Sequence, residues 1–512
     1  MTAPTSSTNS KGPVTRELGS LESFQAALYS LDFYCGTIIT CRYGIPTSLK
    51  DATHSKLVET LHLAVADAVI QHPLLQVALS DAASKTPAWV QLDHIDLSHH
   101  IEWKAIENSE NYDAALKKTL EYQVDTKFSN PETHPSWRVV ILRSESQDVL
   151  DVMFVWHHSH TDGTGGKLFH QTLLQSLNKL KVGSSESQEN HLVKTTATAQ
   201  NLPPVQDRVA PYSISPRFLL SVVWKELIPW KLNSVLYSHT AWGPIQTTPC
   251  RTQLRRLNID NATLQSILST CRVHKTTLTG LLHGIAFISL AAQLPDKDLA
   301  AMVAETALNL RPLMENNPPA YPTLEPTKTI GNYVGRLEHK FDKNLVSKVR
   351  NLGRQGSNDP SDSGLQVAIE QEIWLASTGV REEIQTKMNA CLKDDILGLM
   401  NKVSDWQAYI MKDQARKPRS TSWLVTNLGV IDGERLDEVD VGDTLQTWSI
   451  QRAEFCLSAN VTGALFSISP MAAKSGDLCI DVSWQDGVVD SSVGDRLISD
   501  LEAWLRHVGS RE

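Results

Sequence analysis

Apolar residues in the first half of the chain follow two spacings, one typical of helices and the other of buried strands. Stripes that recur every three or four positions predict helices near residues 18–31, 54–70 and 165–180. Runs rich in β-branched and aromatic residues predict strands at 33–43, 137–142 and 149–156. The first half is therefore expected to mix strands and helices.

The second half shows the same mixture after a segment with little periodicity. Residues 182–211 are rich in Gly, Ser, Gln, Asn, Thr and Pro, which is typical of a linker. Beyond it we expect strands near 251–258, 300–308, 421–426, 455–460, 464–469 and 478–484, helices near 261–270, 276–293 and 491–507, and loops at 315–326 and 353–364.

These patterns predict an α/β protein with two lobes and a cleft between them. We divide the chain into a flexible tail (1–15), a first lobe (16–181), a linker or crossover (182–250) and a second lobe (251–512). Catalytic clefts commonly lie between two halves of this kind.

Composition and charge narrow the class of partner. The 512 residues are 41% hydrophobic and 21% charged, which excludes a disordered or coiled-coil chain. The 48 basic and 57 acidic residues give a net charge of −9, which disfavours nucleic acid and anionic membranes as partners. The seven cysteines form no CxxC motif, and no apolar run approaches the roughly 18 residues of a membrane span. We therefore expect a cytoplasmic monomer with reduced thiols.

One cluster of residues carries candidate chemistry. Residues 157–166 read HHSHTDGTGG, directly after the predicted strand 149–156 and at the start of the predicted helix 165–180. A strand, a tight turn and a helix hold side chains rigidly at a cleft. The glycines allow a sharp turn or the close approach of a ligand.

Four interpretations of this cluster compete. His158, His160 and Asp162 suit a metal-dependent hydrolase, but no HExxH or second HxH motif supplies further ligands. The run 163–167 (GTGGK) lacks the spacing of a phosphate-binding loop, and Leu168 breaks the GxGxxG pattern. The histidines could be core residues with buried partners. A histidine could also act as a general base, and without a GxSxG nucleophile this favours direct transfer between two bound substrates.

The cluster resembles HHxxxDG, the active-site motif of the CoA-dependent acyltransferase superfamily, which includes chloramphenicol acetyltransferase, plant acyltransferases and peptide-synthetase condensation domains. Other segments that resemble elements of this superfamily span most of the chain: His72-Pro73-Leu74-Leu75, Trp137-Arg138-Val139, Asn309-Leu310-Arg311-Pro312, Gly331-Asn332-Tyr333-Val334-Gly335 and Thr426-Asn427-Leu428-Gly429. Together they look most like the fungal alcohol O-acetyltransferase branch, which includes trichothecene-type O-acetyltransferases. The DFGWG string of the plant branch is absent from the sequence.

The resemblance implies both a fold and a reaction. The fold would be two chloramphenicol acetyltransferase-like lobes with mixed sheets that meet at a channel. Acetyl-CoA would be the co-substrate, with no bound cofactor and no metal, and the acceptor would be a small-molecule alcohol such as a terpenoid. A metal-dependent hydrolase and a non-catalytic, condensation-like binding module remain the alternatives.

The resemblance also implies roles for individual residues. His158 would be the general base, and Asp162 would face away from the substrate and pair with Arg311 of the second lobe. Gly163 would leave room for the acyl group or the pantetheine arm, and His157 would support the turn. The further candidates for an oxyanion or substrate contact are Asn427 and Ser458.

Overall fold

The computed structural model describes residues 12–50, 52–107, 111–144, 147–180, 191–227, 243–294, 301–356, 363–416, 419, 421–433 and 447–510. These residues fold into two lobes of mixed α/β structure, each with one large sheet. The predicted fold class is confirmed.

Strands and helices are interspersed along the described residues. The strands, in chain order, are β1 (Val14–Glu17), β2 (Thr37–Gly44), β3 (Val77–Ser80), β4 (Ala88–Gln91), β5 (His94–Asp96), β6 (Ile101–Ile106), β7 (Trp137–Ser144), β8 (Val149–Trp156), β9 (Leu192–Lys194), β10 (Thr252–Ile259), β11 (Met302–Asn309), β12 (Val334–Phe341), β13 (Trp423–Val425), β14 (Gly429–Ile431), β15 (Ser449–Leu457), β16 (Phe466–Ala473) and β17 (Leu478–Gln485). The helices are α1 (Ser20–Ser30), α2 (His54–Gln71), α3 (Tyr112–Asp125), α4 (Gly163–Lys179), α5 (Gln206–Val209), α6 (Pro216–Leu227), α7 (Asn261–Val273), α8 (Leu278–Gln293), α9 (Lys343–Gly356), α10 (Ser363–Asn389), α11 (Trp406–Arg416) and α12 (Ser491–Gly509).

Most elements predicted from apolar spacing are confirmed. The three helices of the first half are α1, α2 and α4, and the strands on either side of residue 145 are β7 and β8. In the second half, the predicted elements overlap β10, β11, β13, β15, β16, β17, α7, α8 and α12. These segments bury one face or both, so their apolar spacing reports the secondary structure directly.

Segments predicted to lack regular structure need correction. Strand β1 begins inside the predicted tail because pairing with β4 satisfies its backbone, although its sequence is polar; residues 1–11 lie outside the described part. The predicted strand at 33–43 begins only at Thr37. Strand β9 and helix α5 form within the predicted linker. The predicted loop at 353–364 includes the end of α9 and the start of α10, and residues 357–362 lie outside the described part.

The first lobe is built on a five-stranded sheet in the order β15-β2-β8-β7-β6. All neighbours are antiparallel except β7 and β6, which are parallel. Strand β8 is the central strand and is buried from Leu150 to Trp156. This position explains its nearly continuous apolar sequence, and it places the residue after Trp156 at the end of a rigid strand.

The second lobe is built on a seven-stranded sheet. Its main order is β10-β17-β16-β13-β11-β12, and β14 pairs in parallel with β16. Helix α8 is buried on nearly all sides in the core beneath this sheet, together with the apolar face of α12. Two small sheets, β1-β4-β3 and β5-β9, complete the described strands.

The two lobes share a strand. Strand β15 comes from the last quarter of the chain, yet it pairs antiparallel with β2 of the first lobe from Ser449 opposite Gly44 to Leu457 opposite Thr37. Its side chains join the first-lobe core, where Phe455 and Ile450 are buried. Part of the segment that we assigned to the second lobe therefore completes the first sheet.

Among the described residues, no single helix is both long enough and apolar enough to cross a membrane. Helices α7 and α8 reach the required length and apolar character only when they are taken together, and this pair is bent by 89°.

Candidate active site

The candidate site lies where β8 ends and α4 begins. Strand β8 ends at Trp156, and residues 157–162 form the turn before Gly163, the first residue of α4. Asp162 is the N-cap of α4, and its Oδ1 accepts a hydrogen bond from the Gly165 amide at 2.9 Å. The cap satisfies a backbone donor that the helix cannot satisfy itself. The predicted strand, turn and helix are therefore present.

The glycines of the turn are required by close packing. A Cβ atom on Gly165 would lie 1.7 Å from Thr161 Oγ1. A Cβ atom on Gly163 would lie 2.7 Å from Leu428 Cδ2 and 3.1 Å from Phe455 Cζ. These two side chains occupy the space beside Gly163. The absence of a Cβ atom therefore lets residues from the second half of the chain pack closely against the turn. The suggestion that it leaves room for the acyl group or the pantetheine arm stays a prediction.

The three imidazoles of the turn point to different neighbours. His157 Nδ1 accepts a hydrogen bond from the Ser159 amide at 3.0 Å, and its ring meets the Tyr29 ring edge-on. His160 Nε2 donates to the Val77 carbonyl at 3.3 Å. Burial lowers the pKa of His160 to about 4 and that of His157 well below its ordinary value. Both rings are therefore neutral and fixed at pH 7.

His158 differs from every other residue of the turn. From His157 to Gly163 each residue is buried except His158, which is half-buried. Its ring lies beside its own backbone carbonyl, and among the described residues no hydrogen bond joins Nε2, whereas Nδ1 lies 3.4 Å from Asn332 Nδ2. Burial lowers the pKa of His158, while the carbonyl and the charge of Asp162 partly offset this effect. The ring is neutral at pH 7 and able to accept a proton.

Asp162 faces the second lobe and is fully engaged there. Its Oδ2 accepts hydrogen bonds from Arg311 Nη1 at 2.7 Å and from the Tyr333 amide at 2.8 Å. Its own amide donates to the Gly331 carbonyl at 3.3 Å. Asp162 and Arg311 are 3% and 1% exposed, so the ion pair is shielded from water. The carboxylate is thus held by both lobes and has no role as a free base.

Arg311 satisfies the rest of its guanidinium on the same lobe. Nη2 donates to the carbonyls of Gly331 at 2.9 Å and Thr329 at 3.2 Å, and the guanidinium lies 5.1 Å from the centre of the Tyr333 ring. A buried charge that keeps several partners avoids much of its desolvation penalty. The predicted pairing of Asp162 with Arg311 is therefore present in the structure as a buried, well hydrogen-bonded contact between lobes.

Asn332 contacts His158 and was missed as a site residue. The sequence placed it in a Gly-Asn turn but assigned it no role. In the structure, Asn332 Nδ2 donates to the His158 carbonyl at 2.6 Å and lies 3.4 Å from His158 Nδ1. The only hint in the sequence is that the Gly-Asn turn follows soon after the arginine element. This proximity does not indicate where the side chain of Asn332 points.

Asn427 and Ser458 are committed to backbone and helix contacts. Asn427 Nδ2 donates to Thr279 Oγ1 at 3.1 Å, and its Oδ1 accepts from the Gly429 amide at 2.8 Å. Ser458 Oγ accepts from the amides of Cys35 at 3.0 Å and Gly36 at 3.3 Å. None of these contacts joins either side chain to His158, so their suggested role in binding an oxyanion stays a prediction.

A second histidine cluster lies in the core of the second lobe. Trp423 Nε1 donates to His283 Nδ1 at 3.0 Å, so the proton of this imidazole is on Nε2, which donates to Thr306 Oγ1 at 2.8 Å. Thr306 in turn donates to His339 Nε2 at 2.7 Å, and His339 Nδ1 donates to Glu383. Every imidazole nitrogen has a partner in this chain of hydrogen bonds.

The described residues do not bring together the ligands of a metal site. No group of three or more His, Cys, Asp or Glu side chains in this part of the chain could hold a metal ion. The reason at the turn is geometric, because the His160 ring faces Trp89 and Asp162 faces Arg311. The three residues suggested for a hydrolase therefore point apart.

Comparisons with known proteins find alcohol acetyltransferases that are similar to this chain. The family model described as alcohol acetyltransferase matches residues 68–318. A probable alcohol acetyltransferase of Fusarium pseudograminearum, FCK4, is 23% identical over 504 residues, covering 97% of this chain and 96% of that protein. The probable alcohol acetyltransferase crmB of Aspergillus fumigatus is 24% identical over 490 residues, with 92% and 95% covered.

Solved structures show the same fold. TRI3 trichothecene 15-O-acetyltransferase from Fusarium sporotrichioides superposes with a TM-score of 0.70 at 13% identity, over 96% of this chain and 94% of that one. The condensation domain of the Monacolin K polyketide synthase MokA superposes with a TM-score of 0.56 at 11% identity, over 98% of both chains.

The solved structures show that the fold is the two-lobed, chloramphenicol acetyltransferase-like fold. The matches to alcohol acetyltransferases identify the protein as an O-acyltransferase that is similar to this family, as the resemblance in its sequence predicted. Its reaction is the transfer of an acyl group to a hydroxyl, and acetyl-CoA is the co-substrate that this family implies.

Proposed function

We propose that the protein transfers an acetyl group from acetyl-CoA to a hydroxyl of a small secondary metabolite, with His158 as the general base. The observation that carries this proposal is the difference in exposure along residues 157–163. Within this segment His158 alone retains contact with solvent, and its Nε2 has no hydrogen-bond partner among the described residues. A histidine with these properties suits proton transfer at neutral pH.

The proton and the acetyl group move in one balanced sequence. Nε2 of His158 takes the proton of the acceptor hydroxyl as its oxygen attacks the thioester carbonyl and forms a tetrahedral intermediate. The intermediate collapses as the C–S bond breaks, and the Nε2 proton passes to the departing thiolate to give free CoA. Both substrates are bound together, so positioning supplies much of the acceleration.

Asp162 and Arg311 act in this proposal by fixing the turn. Their ion pair joins the end of the turn to the second lobe, four residues after His158. The hydroxyl of Ser159 donates to the Glu22 carbonyl of α1 at 2.8 Å and holds the middle of the turn on the first lobe. The turn that carries the imidazole is therefore bound to both lobes. This favours a fixed distance and direction between Nε2 and the acceptor hydroxyl.

We also propose the class of acceptor and the setting of the enzyme. The similar protein TRI3 is a trichothecene 15-O-acetyltransferase, which supports a terpenoid alcohol as the acceptor. We propose a monomer in the cytoplasm. All seven cysteines are free thiols in the structure, which supports a reducing compartment.

Release of free thiol from acetyl-CoA tests the proposal. Purified protein is mixed with acetyl-CoA and a panel of alcohols and amines that includes terpenoid alcohols, and thiol release and acetylated product are both measured. We expect release only with a hydroxyl acceptor. The His158→Ala variant should release none, while a variant at the solvent-exposed His99, His99→Ala, should match wild type.

Three outcomes distinguish the alternatives. Thiol release without acetylated product, or release that a chelator abolishes, would favour a hydrolase. Binding of acetyl-CoA without turnover on any acceptor would favour a binding module. Full turnover in His158→Ala would contradict the assignment of the base.

A further inference from the structure

A short segment of the second lobe touches both ends of the HHSHTDG turn. The Gly331 carbonyl accepts hydrogen bonds from the Asp162 amide and from Thr161 Oγ1, and the Tyr333 amide donates to Asp162 Oδ2. These contacts hold the Asp162 end of the turn. Asn332, between them, is the member of the segment that reaches back to the His158 end.

The His158 carbonyl accepts a hydrogen bond from Nδ2 of Asn332 at 2.6 Å. The same Nδ2 lies 3.4 Å from Nδ1 of the His158 ring, which lies beside that carbonyl. Because the ring rotamer follows the direction of that oxygen, a residue of the opposite lobe helps to orient the imidazole.

The other polar atom of Asn332 has no partner in the structure. The residue is 3% exposed, and its Oδ1 is buried without a hydrogen bond among the described residues. An unsatisfied buried acceptor costs about 1–3 kcal/mol. A bound ligand that donates a hydrogen bond to Asn332 Oδ1 would remove this cost.

We propose that Asn332 is the positioning residue of the second lobe for His158 and that its Oδ1 accepts a hydrogen bond from an N–H or O–H group of a bound substrate. The inference rests on the proposed function and deepens it. Two substrates carry suitable donors, namely the amide groups of the pantetheine arm and the hydroxyl groups of the acceptor. Separate KM values for acetyl-CoA and for the acceptor distinguish these two sources.

Two substitutions separate the two parts of the proposal. Asn332→Ala removes donor and acceptor, so we expect kcat to fall at least tenfold and the KM of one substrate to rise at least threefold. Asn332→Asp keeps an acceptor of the same size but places an oxygen against the His158 carbonyl. Its kcat should fall at least tenfold, whereas its KM values should stay within twofold of wild type.

A readout without substrate tests positioning directly. The pH dependence of the modification of His158 by diethyl pyrocarbonate reports the protonation of its ring. The other titratable groups that face His158 are Asp162, His157 and, 5.9 Å away between ring centres, Tyr34. All three are unchanged in Asn332→Asp, so we expect the added negative charge to move the modification curve to higher pH.

Asn178→Ala is the matched control. Asn178 also links the halves of the chain through backbone hydrogen bonds, with Nδ2 donating to the Trp448 carbonyl at 3.0 Å and Oδ1 accepting from the Trp448 amide at 2.9 Å. We expect its variant to melt at a lower temperature while kcat, KM and the modification curve stay at wild-type values.

Several results would overturn the proposal. Wild-type kcat and KM in Asn332→Ala would do so, as would losses that only follow the fraction of unfolded protein in the manner of Asn178→Ala. An unmoved modification curve in Asn332→Asp would overturn the positioning role. If wild type releases no thiol but the curve moves, the proposed function fails and the positioning of His158 stands.

Discussion

Two of the histidine clusters among the described residues differ in what their nitrogens contact. In the second lobe, His283 and His339 are part of a continuous chain from Trp423 to Glu383, in which each nitrogen has a partner. In the turn after β8, His158 leaves Nε2 uncommitted and half-exposed. The difference teaches that an uncommitted nitrogen in contact with solvent marks the candidate site, more than the number of histidines does.

The second cluster even has the connectivity of a catalytic triad. Glu383, His339 and Thr306 are linked in the order of an acid, a base and a hydroxyl nucleophile. However, Thr306 is 3% exposed, and its oxygen already accepts a hydrogen bond from His283 Nε2. A hydroxyl enclosed in this way contributes to the stability of the core and is shielded from solvent.

The largest effect is expected from His158→Ala. General base catalysis typically contributes about 10²–10⁴-fold, so kcat/KM for acetyl transfer should fall by roughly this factor. The ring is only half-buried, so the melting temperature should stay near that of wild type. Thiol release and thermal denaturation measure both quantities. Full activity together with a lower melting temperature would mean that His158 has a structural role and no catalytic one, which would reverse the comparison between the clusters.

Asp162→Asn is expected to reduce both stability and rate. Removing one charge of a buried ion pair leaves Arg311 uncompensated, which commonly costs about 3–5 kcal/mol. The control is Asp148→Asn, which breaks the exposed pair with Lys50 and should cost at most about 1 kcal/mol. Denaturant titration and thiol release provide the measurements. Equal stability of the two variants would show that the contact between lobes is dispensable.

Thr306→Val sharpens the comparison from the other cluster. Valine fills the same volume but leaves two imidazoles without their shared partner, so we expect a loss of about 1–3 kcal/mol in unfolding free energy. The KM values and kcat should be unchanged. Thr126→Val, which removes an exposed hydroxyl contact with the Tyr122 carbonyl, serves as the control. A selective loss of kcat in Thr306→Val would give the second cluster a catalytic role.

The smallest effect concerns pH. Burial lowers the pKa of His160 and His170 to about 4, below the value of about 6.5 expected in the unfolded chain. Between these values the unfolded chain binds more protons, so stability is complete above pH 6.5 and declines toward pH 4. Melting temperatures across this range measure the decline. His160→Gln keeps a donor for the Val77 carbonyl without titrating, so its decline should be shallower, and an identical slope would contradict the assignment.

The same logic applies to the pH dependence of activity. Burial lowers the pKa of His158, so the acidic limb of kcat/KM should lie below pH 6.5. The pH profile of thiol release measures this limb. A limb above pH 6.5 would mean that another group is titrating.

The sequence was sufficient where a local pattern decides the structure. Central strand β8 has an apolar run because both of its faces are buried, and Asp162 caps α4 because a carboxylate one residue before a helix satisfies its free amides. The family resemblance supplied the partner of Asp162, which no local spacing contains. Residues 149 positions apart in sequence meet only through the packing of the lobes.

The features that the sequence did not predict depend on long-range contacts. Gly163 packs against Leu428 and Phe455, which come from distant segments of the chain. Asn332 acquires its significance only from the position of the His158 carbonyl. The partner of β15 was equally hidden, since its sequence shows that it is buried but not which sheet it joins. In each case the local sequence is compatible with several neighbours.

The shared strand has a consequence for how the polypeptide matures. Residues 449–457 leave the ribosome long after β2, so until then β2 presents an unpaired edge to solvent or to a chaperone. A fragment that stops at the linker would keep that edge permanently and would tend to aggregate. The two lobes are therefore not interchangeable modules, and any chimera that exchanges one for the other must carry β15 with the half that precedes it.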